Sequence, residues 1–430
     1  MPSRLSRLAA LAVLTAAARP CVAQSLSERL ALLFRYGDCP QPLCLSVNQA
    51  VHGSHYLGSA VQANRNTYGF ITEAAGATLA GLPVSATSSG VTFRFVGGAP
   101  VTTATSAGPI FAERAQTLGR GRLLVGVNTT RIAFDRVRGT DLGDLAFNFT
   151  HQDVDPSGFG TPGFENDVIR VRPSIAITLQ STAAFVTYGL SDRVDLAVAV
   201  PVVAASLDAS STALITNPTG GTPTGAHRFG TQAAPSVSAA SAVEGSHVGL
   251  GDIAVRAKVN LRSADRLGVA LLGDVRLPTG DKDNYTGSGD LSVRAVGVVS
   301  ARAGNFSPHA NAGFAFRGGD TQTNAALLTV GFDHLAARWA TIAVDLISEV
   351  QLGDSKLTLP DPITFADAAR TTLPVTNIPD RRDDLFNLAA GAKFLVRGTT
   401  LVVNALLPLG NGGMQSKTGI YTLGIERTFR

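Results

Sequence analysis

The stretch that decides the fold reads GLGDIAVRAKVNL (249–261), RSAD (262–265) and RLGVALLGDVRLP (266–278). In the first part Ile253, Val255, Ala257 and Val259 alternate with Asp252, Ala254, Arg256 and Lys258. In the last part Leu267, Val269, Leu271, Val275 and Leu277 share one face. Alternation with a period of two sets one face of each strand against an apolar medium, and the four-residue link suits a tight antiparallel turn. The rhythm continues through Asp290–Arg302, a turn at Gly304-Asn305, Phe306–Gly318, Asn324–Leu335 and Arg338–Val350. Short links alternate with long polar loops, which marks an all-β, antiparallel up-and-down barrel of the transmembrane kind.

Strands are expected near 90–97, 122–136, 142–150, 170–189, 193–207, 249–261, 266–278, 289–302, 306–318, 324–335, 338–350, 384–397, 399–408 and 418–429. That is fourteen. Twelve is the alternative, because 90–97 is short and 399–408 barely long enough to span. Tight turns of bacterial barrels face the periplasm and long loops face outside, so 98–121, 151–169, 208–248 and 351–383 are expected to be external.

The faces can be assigned. Ile253, Val255, Val259, Val269, Leu271, Val275, Leu291, Val293 and Val299 should meet lipid, as should Phe386, Leu388, Ala390, Ala392, Phe394 and Val396. The opposite face carries Arg172, Asp195, Asp252, Arg256, Lys258, Asp274, Arg276, Arg294, Asp345 and Lys393. An arginine facing mid-bilayer lipid costs about 2–4 kcal/mol, so these are candidates to line the lumen. The 262–265 turn pairs Leu261 with Leu267; extending that register sets Asp252 opposite Arg276 and Arg256 diagonal to Asp274. Such pairs either brace the wall or guide a substrate. In 170–189 the apolar phase shifts from Ile175, Ile177 and Leu179 to Ala184, Val186 and Tyr188, as a β-bulge would produce.

The chain has 430 residues with a formal net charge of +4 and no basic tract, so nothing points to nucleic acid. Residues 1–23 read as a secretory signal. Arg4 and Arg7 precede the apolar run Leu8–Ala18, and Cys21-Val22-Ala23 offers small residues for cleavage after Ala23. Residues 24–89 form an N-terminal segment, periplasmic or folded into the lumen as a plug, ahead of a barrel domain over 90–430. Leu26, Leu30, Leu33 and Phe34 have helical spacing after Ser27 as a possible cap. Cys39 and Cys44 are the cysteines remaining after cleavage, and an oxidising compartment makes a local disulfide the default over two buried thiols.

Motifs for chemistry are scarce. No nucleophile elbow, zinc-protease helix motif or phosphate loop occurs, so no catalytic, cofactor or metal residues are assigned and no enzyme activity is expected. Asp281, Asp283 and Asn284 have a faint calcium-loop look, but the EF-hand glycine and distal glutamate are missing.

Three segments in order carry a family resemblance: Gly249-Leu250-Gly251-Asp252 opening a strand, Leu277-Pro278-Thr279-Gly280-Asp281 closing its partner, and Ser307-Pro308-His309-Ala310-Asn311-Ala312-Gly313-Phe314 two strands on. Over 249–318 the chain resembles the outer-membrane transporter family of the meta-pathway phenol degradation type. More distantly it is similar to long-chain fatty-acid outer-membrane transporters, a broader group to which Phe111-Ala112-Glu113-Arg114 through Asp141-Leu142 also bears some likeness. The resemblance implies a bacterial outer-membrane barrel for uptake of small hydrophobic or aromatic compounds. Its partners would be outer-membrane lipid, that substrate and the assembly machinery, which reads a terminal aromatic; here Arg430 follows Phe429. The alternatives are a structural or adhesive surface barrel working through its loops and an outer-membrane lipid hydrolase.

Overall fold

The computed structural model describes residues 24–37, 43, 59–81, 93–96, 99–102, 107–109 and 111–429, except 152, 154–157, 159, 161–162, 220–222, 224–226, 232, 265, 320–321 and 367–370. The signal segment and both Cys39 and Cys44 lie outside the described residues.

Fourteen strands form the main sheet. They are β1 (Leu123–Phe134), β2 (Phe147–Thr150), β3 (Val168–Gly189), β4 (Val194–Thr216), β5 (Ser238–Leu250), β6 (Ile253–Ser263) and β7 (Leu267–Leu277). The remainder are β8 (Ser292–Ala301), β9 (Phe306–Arg317), β10 (Asn324–Ala337), β11 (Ala340–Leu352), β12 (Leu385–Val396), β13 (Thr399–Pro408) and β14 (Ile420–Phe429). Twelve of them close a ring in chain order; β2 hangs on β3 and β5 on β4, outside the ring. Closure joins the first strand to the last, with Leu123 opposite Phe429. The ring therefore has the smaller of the two counts the sequence allows. Among the described residues, the segment Phe93–Val96 pairs only with Ala99–Thr102, as a separate hairpin.

Most ring strands have 10–14 residues, enough to cross a bilayer, whereas β3 has 22 and β4 has 23. The outer surface of the shorter strands is apolar: Val255, Val259, Leu271, Leu291, Val299, Phe386 and Val396 are exposed, as expected for lipid contact. Aromatic rings flank that band. Trp339 stacks on Phe394 and Phe306 meets Phe332 at the tight-turn end; Phe314 and Phe316 lie at the other.

Two register features depart from expectation. β3 pairs with β4 without interruption from Val168–Thr216 to Gly189–Asp195, so 170–189 contains no bulge. Its odd positions face inward throughout. The apolar phase changes because the surroundings change: Ala184, Val186 and Tyr188 face outward in the lipid band, while Ile175, Ile177 and Leu179 face inward onto an apolar core. Arg172, expected inside, is accordingly exposed on the outer face of the upper wall. The bulge lies elsewhere. From Leu250 opposite Val202 to Ala254 opposite Ala199 the β5–β6 strand advances four residues against three on β4, around Gly251-Asp252. Residues 238–248, read as loop, thus continue β6 upward as β5.

That apolar core is the N-terminal segment inside the loop end of the barrel. Ser25 caps α1 (Leu26–Ala31) in a capping box with Glu28, two residues before the expected Ser27. Leu26, Leu30, Leu33 and Phe34 are buried in one cluster with the inward residues of β3 and β4, beneath β5. The second helix, α2 (Ser59–Gly81), was not legible in the sequence. Phe34 lies 5.0 Å from the Tyr68 ring and 5.6 and 6.0 Å from Phe149 and Phe147. Tyr36 meets Ser211 through its hydroxyl at 3.1 Å. Gly76 lets α2 approach the 280–288 loop so closely that a Cβ there would sit 2.1 Å from the Gly287 carbonyl oxygen.

Candidate functional site

The lumen is divided by two internal barriers. The roof is the N-terminal segment, with α2 presenting Phe70, Ala74 and Thr78 downward. Arg138 locks this roof to the loops. It is fully buried, holds the Asp383 carboxylate through two 2.9 Å bonds and lies 5.8 Å from the Phe70 ring.

The floor is the segment 107–121, expected to be an external loop. It instead crosses the tight-turn end inside the ring before entering β1. A wall residue meets it at nearly every step. Thr341 accepts from the Ala107 N–H at 2.8 Å and Asp345 from the Ala112 N–H at 3.4 Å. Asp333 binds the Arg114 guanidinium, with Nε at 3.0 Å. Ser300 accepts from the Ala115 N–H at 3.1 Å, while Asn260 donates to its carbonyl at 2.6 Å. Both Asp195 carboxylate oxygens accept from the Leu118 N–H, at 2.9 and 3.1 Å. Ala115 and Leu118 fill small apolar pockets between these bonds. The turn back to the wall uses Gly119 and Gly121 at positive φ, and it touches β3 where a Cβ on Gly189 would lie 2.0 Å from the Gly119 carbonyl oxygen.

Between roof and floor lies a chamber of about 260 Å³. Its lining is mixed: Phe70, Phe134, Leu327, Leu406 and Ile420 are apolar, and Glu113, Arg256, Asp274 and Arg294 are charged. Such a lining suits a molecule with an apolar body and a small polar part.

Arg172 apart, the candidate lumen residues are buried or half-buried inside the wall, in four groups. Asp274 sits between Arg256 and Arg276, whose Nε atoms are 2.5 and 2.8 Å from it, with Arg294 on the next strand opposite. Arg256 is directly opposite Asp274, not diagonal to it, and Ala254 rather than Asp252 faces Arg276. Ser263 faces Gly268, so the turn lies later in the chain than the 262–265 link, and after a one-residue shift between Asn260 and Arg262 the strands stay displaced by two residues. Asp252 instead organises a loop, accepting from the Gly280 N–H at 3.0 Å and the Ser288 N–H at 2.8 Å. Lys258 and Asp345 bind the floor: Lys258 Nζ is 3.3 Å from the Arg114 carbonyl and 3.4 Å from Glu113. Lys393 pairs with Glu426 at 3.5 Å and stands opposite Thr341, the residue that holds Ala107. Asp281 spends its carboxylate on the Asp283 N–H and the Asn284 amide, closing its own turn. Among the described residues no group of three or more potential metal ligands occurs.

Sequence reasoning missed Glu113, Arg114, His309 and Asp333. Glu113-Arg114 in a segment flanked by strands was the available signal, because inward Lys258 and Asp345 need partners of opposite charge.

A closed, lipid-facing ring with an internally barred lumen defines an outer-membrane-type β-barrel. Residues 174–344 match the family model described as "Putative MetA-pathway of phenol degradation", so the resemblance expected from the 249–318 motifs is borne out. No curated protein matches the chain. Among solved structures, an outer-membrane channel from Pseudomonas putida F1 is similar at 11% identity and TM-score 0.41, over 73% of this chain and 98% of that one. A Pseudomonas aeruginosa FadL homologue gives 12% and 0.31 over 72% and 89%. The TodX monoaromatic hydrocarbon channel, as a mutant, gives 11% and 0.32 over 74% and 92%. At these levels the fold assignment rests on the ring itself.

Proposed function

We propose that the protein is a passive bacterial outer-membrane transporter for small hydrophobic or aromatic compounds. The observation that carries this reading is the chamber, lined by both apolar and charged side chains and held between two internal barriers in a lipid-facing barrel. A water-filled porin needs neither barrier. A carrier of apolar molecules needs both, because an open polar lumen would leak. The resemblance to the phenol-degradation family points the same way.

The inward charges act here as the polar wall of the passage. Lipid is the partner of the outer band, and the exposed alternation Tyr421, Leu423, Ile425 and Phe429 on the last strand is what the assembly machinery would engage. The height of β3 and β4 keeps a surface role of the loops as the second reading.

The test is uptake of the small aromatic dye N-phenylnaphthylamine by cells expressing the protein. Faster uptake than in cells carrying an empty vector is expected. Equal uptake, with the barrel folded and at the surface, overturns the proposal.

A further inference from the structure

The roof and the floor are held by different physics. The roof is packed through aromatic and aliphatic side chains around Phe34, which stay uncharged over the range in which an imidazole titrates. The floor hangs on carboxylates and cations, and one of its supports contains the only histidine on the inner wall of the tight-turn half among the described residues. His309 on β9 is buried, with Nε2 2.6 Å from Asp345 Oδ1 on β11 and Nδ1 3.6 Å from Asp333 Oδ1 on β10. These two carboxylates also grip the floor, Asp333 through Arg114 and Asp345 through the Ala112 N–H. On the other side of β9, the residue opposite His309 is Ser300 on β8, which carries no charge. Lys393 and Glu426 beyond β11 neutralise each other.

The charges can be counted. Asp333 and Asp345 contribute two negative charges and Arg114 one positive. With a proton on both ring nitrogens, His309 supplies the second positive charge, and each nitrogen faces a carboxylate oxygen. Without it the cluster has a net negative charge in a nearly dry site, where an unbalanced charge is costly. An imidazole that loses a proton also turns one nitrogen from donor to acceptor, setting a lone pair against a carboxylate.

We propose that segment 107–121 is the gate of the lumen and that the His309–Asp333–Asp345–Arg114 cluster is a proton-dependent latch, closed when His309 is an imidazolium and released when it is neutral. Release would free Asp345 from Ala112 and weaken Arg114 on Asp333, opening the floor from its β10–β11 side. The proposal rests on reading the lumen as a passage. Its test uses only small inorganic ions, so it can fail or succeed independently of dye uptake.

The experiment is conductance of the full mature chain in planar bilayers in potassium chloride, stepped from pH about 5.5 to about 9.5, a range bracketing imidazole titration. Open probability should rise with pH by up to about tenfold per unit on the titrating limb, the limit for one proton. Two variants should move in opposite directions. His309→Gln removes the charge and should be open across the range. Asp345→Asn removes one carboxylate, leaving the cluster neutral without the proton, and should stay closed across the range. Heat-modifiable migration on gels checks that each variant is a folded barrel. A flat pH response of the unmodified chain overturns the proposal, as does an Asp345→Asn variant that titrates like it.

Discussion

If apolar packing holds the roof, removing its central ring should loosen it without disturbing the barrel. Phe34 is 6% exposed and touches three other aromatic rings, those of Tyr68, Phe147 and Phe149. Phe34→Ala removes the ring and leaves a cavity, since two of its neighbours stand on sheet positions that cannot collapse inward. A buried Phe→Ala change costs about 3–5 kcal/mol, and aromatic contacts add about 0.5–1.5 kcal/mol each to what area alone predicts. The lower figure, with 1.4 kcal/mol per factor of ten, already raises the undocked fraction of the roof by about two orders of magnitude. The ring strands keep all their hydrogen bonds, so β-sheet content and heat-modifiable migration should be unchanged. The assay is limited proteolysis of the purified protein in detergent, followed by mass determination. New cleavage within 24–81 is expected in Phe34→Ala at protease levels that leave the parent intact. Parent-like resistance in a folded variant would refute the idea that this aromatic cluster is what holds the roof.

Two further outcomes follow from the same geometry. Burial raises the pKa of Tyr36, Tyr68 and Tyr285, with Tyr36 and Tyr285 also near Tyr68. Below about pH 10 tyrosine is neutral in both folded and unfolded chains, so the roof gains or loses nothing there. Above it the undocked segment releases protons that the docked one retains, so roof docking should weaken as pH rises, visible as a late, cooperative step in ultraviolet titration of tyrosinate. Three tyrosines ionising normally in a folded barrel would contradict this. On the lipid side, Leu271→Arg places a cation on the outer face of β7 near mid-bilayer and should cost about 2–4 kcal/mol of barrel stability in denaturant titrations from vesicles. An unchanged midpoint would mean that this face does not meet lipid.

How much of this was legible in the sequence follows from what each segment touches. Strands such as β6 and β7 lie between lipid and a charged lumen, so their two faces differ in chemistry and the alternation is plain. β5 does not meet that condition. Ser238–Leu250 has small and polar residues on both faces, because one side is the aqueous exterior and the other is covered by α1, so it reads as loop. β3 shows the converse, where both media change along one strand and an uninterrupted register resembles a bulge. The floor has no period at all. Its contacts are made one residue at a time by Asp195, Asn260, Ser300 and Asp345 from across the ring, and only the surplus of inward charges betrays that something must lie against them. The register error between Asp252 and Arg276 is a displacement of two residues, which keeps every side chain on its face and so cannot be located by alternation alone.

The ring closes by pairing β1 with β14, strands about three hundred residues apart in the chain, around a roof and floor that are both made earlier in sequence. A segment with a helix of 23 residues cannot readily be threaded through a finished cylinder already barred at its base. If the roof and the floor are gathered first and the strands wrap them one after another, the β1–β14 seam is sewn last. The insert would then serve as a mandrel for the barrel during assembly, and damage to it should appear first as a defect in seam closure, before any transport is at stake.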